Sequence, residues 1–305
     1  MGCSQKLHQN EIILKYSNYI ICEHNITNEF LGKKIRIMNH DHENYKLIPQ
    51  NVDIYINGEK KDSFYDYEMN KKGKNKIIIG CKNKLTDINT LFASILTLQS
   101  IELTHFDTSE VINMKSLFFD ASTIKHLNLS NFVTNNVTDM SLMFKDCSSL
   151  ESLNLSNFNT SKVTCMRSMF DGCCSLTYLN IDNFDTGKVT TLRSMFSLCS
   201  SLKKVNVSSF NTCNCTDMKF MFYECSSLTD LDLSSFNTEK VVNMKSMFYK
   251  CSSLSNLNIK NFCFKHIDED LKDIEKIKEY SKNNKGRVGK MFENVNDNCK
   301  IIFGN

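Results

Sequence analysis

No stretch of this chain approaches the roughly 20 consecutive apolar residues that a membrane-spanning helix requires. The most apolar early segment, Glu11–Cys22, is broken by Lys15, Ser17 and Asn18. The residues before it, MGCSQKLHQNE, are polar, so no secretory leader is recognisable and a cytosolic chain is expected. A surplus of one charge sign is also lacking. There are 37 basic and 34 acidic residues, a formal net charge of +3, which gives no electrostatic case for a nucleic-acid partner. Paired CxxC motifs with zinc spacing are missing, since Cys173-Cys174 and Cys213-Asn214-Cys215 have no second half. Tryptophan is absent, and the 305 residues hold one proline and 10 glycines.

What is present is repetition. Met114, Met140, Met166, Met218 and Met244 stand on a 26-residue grid, with Leu192 in the remaining slot. Four residues later come Phe118, Phe144, Phe170, Phe196, Phe222 and Phe248. Three further on are Ala121, Cys147, Cys173, Cys199, Cys225 and Cys251. A fixed period of this length is the mark of a repeat array, in which each unit contacts its neighbours. The L-x-x-L-x-L segment, as in Leu150, Leu153 and Leu155, predicts one strand per unit with Leu153 inward and Asn154 outward. The apolar spacing through Val163, Met166, Met169 and Phe170 predicts a short helical turn with one face inward. A methionine stripe of this kind is core rather than a cofactor box. The expected fold class is therefore an α/β solenoid with a parallel strand and a short helical turn per repeat. One continuous sheet is expected from about Leu98 to Phe262, closed by a strand at Lys300–Phe303.

The chain divides into four segments on this reading. Residues 1–23 form a flexible N-terminus. Residues 24–83 form a β-rich cap, with strands at Ile35–Ile37, Val52–Ile56 and Ile77–Ile79 and a hairpin at Asn57-Gly58. Residues 84–267 are the array. Residues 268–305 hold an 18-residue insertion, since Met291-Phe292 lies 44 after Met247-Phe248. That insertion carries a predicted helix through Leu271, Ile274, Ile277 and Tyr280, entered from Asp268-Glu269-Asp270 and stopped near Gly286.

The repeat, for example NLSNFNTSKVTCMRSMFDGCCSL from Asn154 to Leu176, resembles the BspA-type leucine-rich repeat surface proteins. The resemblance spans about residues 84–262 and the final half-unit. It implies a leucine-rich-repeat solenoid, no catalysis, and adhesion or protein contact at a cell surface. Bacterial relatives usually carry an export signal and an anchor, which this sequence does not display.

Candidate sites are few. Met1-Gly2-Cys3 looks like a dual acylation start, with myristate on Gly2 and palmitate on Cys3 and hence a membrane contact, although Lys6 stands where the pattern has Ser or Thr. Several N-x-S/T matches (Asn128, Asn154, Asn206) belong to a column continued by Asn180, Asp232 and Asn258, read as a stacked amide ladder. Asn214 is a further match. The Thr108–Thr238 column offers hydroxyls to backbone groups opened by the turn. His40-Asp41-His42 is a weak metal motif, and Gly286–Lys290 has the wrong spacing for a phosphate loop. The column cysteines are expected to be buried and reduced. No catalytic arrangement and no cofactor site is recognised. The columns that vary are His126, Ser152, Tyr178, Lys204, Asp230 and Asn256, beside Lys125, Glu151, Thr177, Lys203, Thr229 and Ser255. They are the candidate protein-interaction residues. The expected function is a non-catalytic protein-interaction module, tethered at the inner membrane face. The alternatives are a secreted, adhesin-like surface protein and a self-associating structural protein.

Overall fold

The computed structural model describes residues 8–39, 48–62, 65–264, 274–282 and 288–303. The N-terminal unit is a five-stranded antiparallel sheet. Its strands are β1 (Asn18–Ile26), β3 (Val52–Ile56), β4 (Glu59–Lys61), β6 (Gly73–Cys81) and β7 (Leu98–Glu102), in the order β4-β3-β6-β1-β7. Two further short strands, β2 (Lys34–Arg36) and β5 (Asp66–Glu68), pair beside it. The apolar run Ile77-Ile78-Ile79 is buried on both faces, because helix α1 (Gln9–Ile13) seats Ile12 against Ile21, Tyr55 and Ile78. The β3–β4 hairpin turns at Asn57 (φ +50°) and Gly58 (φ +88°). Two adjacent left-handed residues match the right-handed twist of the flanking strands, which is why Asn-Gly marked the turn.

The α/β solenoid expected from the repeats is overturned. Among the described residues, helix is confined to α1, α2 (Ile48–Asn51) and α3 (Ile274–Lys282), and none lies inside the repeats. The continuous parallel sheet is absent among the described residues as well. The strands β8 (Ser152–Asn154) and β9 (Tyr178–Asn180) form one small sheet, and β10 (Asp230–Asp232), β11 (Asn256–Ile259) and β12 (Lys300–Phe303) form another. The first strand of the expected sheet, β7, instead joins the N-terminal sheet by pairing antiparallel with β1.

Both corrections have physical causes. The segment predicted as helical carries two left-handed residues per repeat, four apart: Ser116 and Asp120, Leu142 and Asp146, Ser168 and Gly172, Ser194 and Leu198, Phe220 and Glu224, Ser246 and Lys250. A residue at positive φ cannot continue a right-handed helix. The backbone alternates its bonds instead. Leu117, Phe119 and Ala121 donate three residues back, to Met114, Ser116 and Phe118. The amides between them cross to the next coil, with Ser116 bonding Ser141, Phe118 bonding Met143 and Asp120 bonding Lys145. The strand wall is interrupted where its inward side chain is only half-buried, at Leu127 and Val205. Where that residue is a fully seated leucine (Leu153, Leu179, Leu231, Leu257), a strand forms.

The coils are packed through identical columns. Phe118, Phe144, Phe170, Phe196 and Phe222 stack with ring centroids 5.8, 5.7, 5.8 and 5.3 Å apart. Each ring is fully buried, worth roughly 2–3 kcal/mol in transfer alone. The C-terminal end keeps the 44-residue offset. Leu257 pairs with Ile301 and Ile259 with Phe303, while Phe248 donates to the Met291 carbonyl. Helix α3 packs Ile277 into this end. The expected start of that helix (Leu271 and Asp268–Asp270) and its stop at Gly286 lie outside the described residues.

Candidate functional site

The predicted interaction column is built by the strand wall. An L-x-L strand sends Leu153 and Leu155 into the core and leaves Ser152 and Asn154 on the surface. By the same alternation His126, Ser152, Tyr178, Lys204, Asp230 and Asn256 are all exposed on one face. Parallel pairing aligns His126 with Ser152, and Ser152 with Tyr178. It aligns Asp230 with Asn256, and Asn256 with Lys300. Lys204 sits between these two groups in a coil without strand pairing, although the Lys203 carbonyl still accepts the Thr229 amide. The structure thus brings five of the six into two ladders and leaves the sixth as the joint.

The chemistry of the face is mixed. Lys125 approaches Glu151 at 3.6 Å. Asp230 accepts from Asn256 Nδ2 at 2.6 Å and from Thr229 Oγ1 at 2.8 Å. The Asn256 amide, followed by the Thr229 hydroxyl, holds the Asp230 carboxyl below its usual range. Tyr178, 55% exposed, is the one aromatic in the column.

Other columns named from the sequence prove structural. Asn128, Asn154, Asn180, Asn206, Asp232 and Asn258 do not form an amide ladder. Each side-chain oxygen accepts the backbone N–H two residues on, as Asn154 does from Ser156 at 3.1 Å. Only an acceptor is needed there, so Asp232 serves equally well. The threonine hydroxyls bridge coils: Thr134 Oγ1 donates to the Asn159 carbonyl at 3.0 Å and accepts from its amide at 2.8 Å. A second bridge was not read from the sequence, in which Asn157 Nδ2 donates back to the Leu129 and Phe132 carbonyls. Its signal was another 26-residue column, through Asn131, Asn157 and Asn183. Asn214 also bridges coils, with Nδ2 donating to the Gly187 carbonyl.

The column cysteines are free and buried. Each thiol donates to a phenylalanine carbonyl of the preceding coil, as Cys147 does to Phe118 and Cys173 to Phe144, both at 3.1 Å. Burial pushes their pKa far up, that of Cys251 to about 12, so they are inert as nucleophiles. Among the described residues, no group of three or more His, Cys, Asp or Glu side chains is placed to hold a metal. No helix there is long and apolar enough to cross a membrane. Gly2, Cys3, His40 and His42 lie outside the described residues. Of the Gly286–Lys290 stretch, the Gly289 carbonyl accepts the Ser246 amide and so continues the coil bonding.

No curated protein and no solved structure matches the chain. A family profile, described as DUF285, a Mycoplasma protein of unknown function, matches residues 86–178 and 173–287. These two spans cover the repeat coils and more than half of the sequence, and the chain therefore belongs to the DUF285 family.

Proposed function

We propose that the protein is a non-catalytic binding module whose partner is another protein, docked on the strand wall. The observation that carries the reading is the column His126, Ser152, Tyr178, Lys204, Asp230 and Asn256: six chemically different, exposed side chains on a backbone that otherwise repeats itself. Coil-to-coil steps of about 4.8 Å make this strip roughly 24 Å long, the dimension of a standard protein interface. The frame is fixed by coil-crossing hydrogen bonds, so a partner orders few side chains on binding. Tyr178 is the expected anchor, because exposed aromatics dominate interface energetics. The resemblance to BspA-type surface proteins supports protein contact as the class of activity.

A photo-crosslinking residue placed at Tyr178 tests this, with Leu14, just after the N-terminal helix, as the control position. Leu14 is 86% exposed, so accessibility does not favour the test site. The reading expects a discrete protein adduct from position 178, competed by unlabelled wild type and not by Tyr178→Ala/Asp230→Ala. Equal adducts from both positions, or no competition, would sink it.

A further inference from the structure

A second wall carries charge that the near-neutral composition conceals. On the turn side of the coils, Lys115, Arg167, Arg193, Lys219 and Lys245 occupy one 26-residue column, with Ser141 the exception. Their side chains are exposed or half-buried. Among the described residues only Arg193 has an acidic partner, Asp217 at 3.9 Å. The column two residues earlier is Asn113, Asp139, Cys165, Thr191, Asp217 and Asn243, and its asparagines, aspartates and threonine each spend an oxygen on the backbone amide two residues on. Burial and then repulsion from Arg193 and Lys245 lower the Lys219 pKa, so the stacked cations feel one another. A second cationic row, Lys162, Lys188 and Lys240, lies five residues before Arg167, Arg193 and Lys245, and is exposed.

Between the two rows runs a column of exposed threonines, Thr138, Thr164, Thr190 and Thr216. Each hydroxyl donates its proton to a carbonyl one coil back, Thr164 to Thr138 at 3.3 Å and Thr190 to Thr164 at 3.4 Å. The outward lone pairs are therefore acceptors only. They suit a partner that brings hydroxyl donors and oppose one whose surface is all phosphate oxygen. The neighbouring rings are not open platforms either. Phe220 lies under Lys219 at 4.5 Å and packs edge-on against Tyr223, which stacks on Tyr249 at 5.0 Å. Lys250 and Lys290 cover Tyr249 at 5.3 and 5.8 Å. Base stacking, on which single-stranded nucleic-acid binding relies, has no free face here.

We infer that this wall binds a linear acidic polysaccharide laid along the stack, its successive carboxylates or sulfates meeting Arg167, Arg193, Lys219 and Lys245. One cation per coil, at about 4.8 Å, matches a polymer that carries at least one charge per sugar ring. The sugar hydroxyls donate to the threonine row. The surface is distinct from the strand wall and stands independently of the protein partner placed there.

The test uses the full chain and heparin as the probe, with oligothymidylate and phosphatidylserine vesicles as competing anions. The variant Arg167→Ser/Arg193→Ser/Lys219→Ser/Lys245→Ser removes the row, and Ser141 shows that the column accommodates serine. Heparin affinity falls by about 30-fold, which is about 0.5 kcal/mol for each of the four exposed pairs. The matched-charge variant Lys33→Ser/Lys34→Ser/Lys71→Ser/Lys72→Ser keeps near-wild-type binding. The charge-preserving variant Arg167→Lys/Arg193→Lys retains binding also, which separates loss of charge from loss of fold. Equal loss in the matched-charge control, wild-type binding by the row variant, or tighter binding of oligothymidylate or vesicles than of heparin would overturn the inference.

Discussion

The N-terminal sheet and the repeat coils solve the same problem in opposite ways. Each position in the sheet is a separate solution. His24 is buried on β1 with Nδ1 2.9 Å from Thr97 Oγ1, and its Nε2 has no partner. Asp53 is held by Tyr16 at 2.6 Å, Lys60 at 3.0 Å and Lys82 at 3.1 Å, a network found once. In the coils one solution is copied. A threonine bridges to the neighbouring coil at every step from Thr108 to Thr238, and asparagines and cysteines add bridges at several of them. The consequence is visible in the buried side-chain polar atoms without a partner. Those among the described residues belong to Asn18, His24, Asn89, Thr90 and Asn131, all in the sheet or the first coils. A repeat that satisfies its polar groups once satisfies them in every copy, and mismatch collects where the copying begins.

The largest expected effect breaks the copied half. Leu179→Asp places an unpaired carboxylate where a leucine is 6% exposed. The cost is at least about 4 kcal/mol. Denaturant unfolding should show the coils lost or no longer cooperative. A midpoint close to wild type would count against the packing described.

An intermediate effect separates the halves by pH. Burial lowers the His24 pKa from 6.5 to about 4. The unfolded chain then binds more protons between those values, so stability rises with pH across the window. The contribution is complete above pH 6.5 and is lost as pH falls towards 4, roughly 3 kcal/mol in all. Amide exchange at pH 7 and pH 4.5 should show β1 and β6 losing more protection than the coils. His24→Gln should flatten that difference.

The smallest of the three acts on one bridge. Thr160 Oγ1 donates to the Asp185 carbonyl at 2.9 Å and accepts its amide at 2.8 Å, while 1% exposed. Thr160→Val keeps the shape and strands both backbone groups, at about 2 kcal/mol. A melting temperature unaltered by the change would mean that water replaces the bridge.

Much of the core was legible in the sequence because columns report which residues face inward. The 44-residue offset to β12 followed from matching columns, and the β3–β4 hairpin from Asn57-Gly58. The helical turn is not the only backbone that this spacing permits. Met-x-x-x-Phe-x-x-Cys spacing states that three side chains point inward, and a chain alternating right- and left-handed residues meets that condition as well as a helix does. Glycine would have marked the left-handed positions, yet from Ser116 to Lys250 only Gly172 does so; serine, aspartate, leucine, phenylalanine, glutamate and lysine occupy the rest. The β1–β7 pairing joins residues with no periodic relation, and nothing local encodes it. The strand-wall candidates were readable as variable columns. The cationic row was equally readable as a column, whereas the lack of acidic partners for its members other than Arg193, among the described residues, is set by the fold.

The central claim is that alternate amides of the turn wall bond across coils. Scalar coupling through the hydrogen bond, measured on labelled protein, tests it at single residues. The account predicts coupling from the Phe144 amide nitrogen to the Met169 carbonyl carbon, across 2.9 Å between nitrogen and oxygen. Coupling from Phe144 to the Met140 carbonyl, four residues back as in a helix, would contradict it.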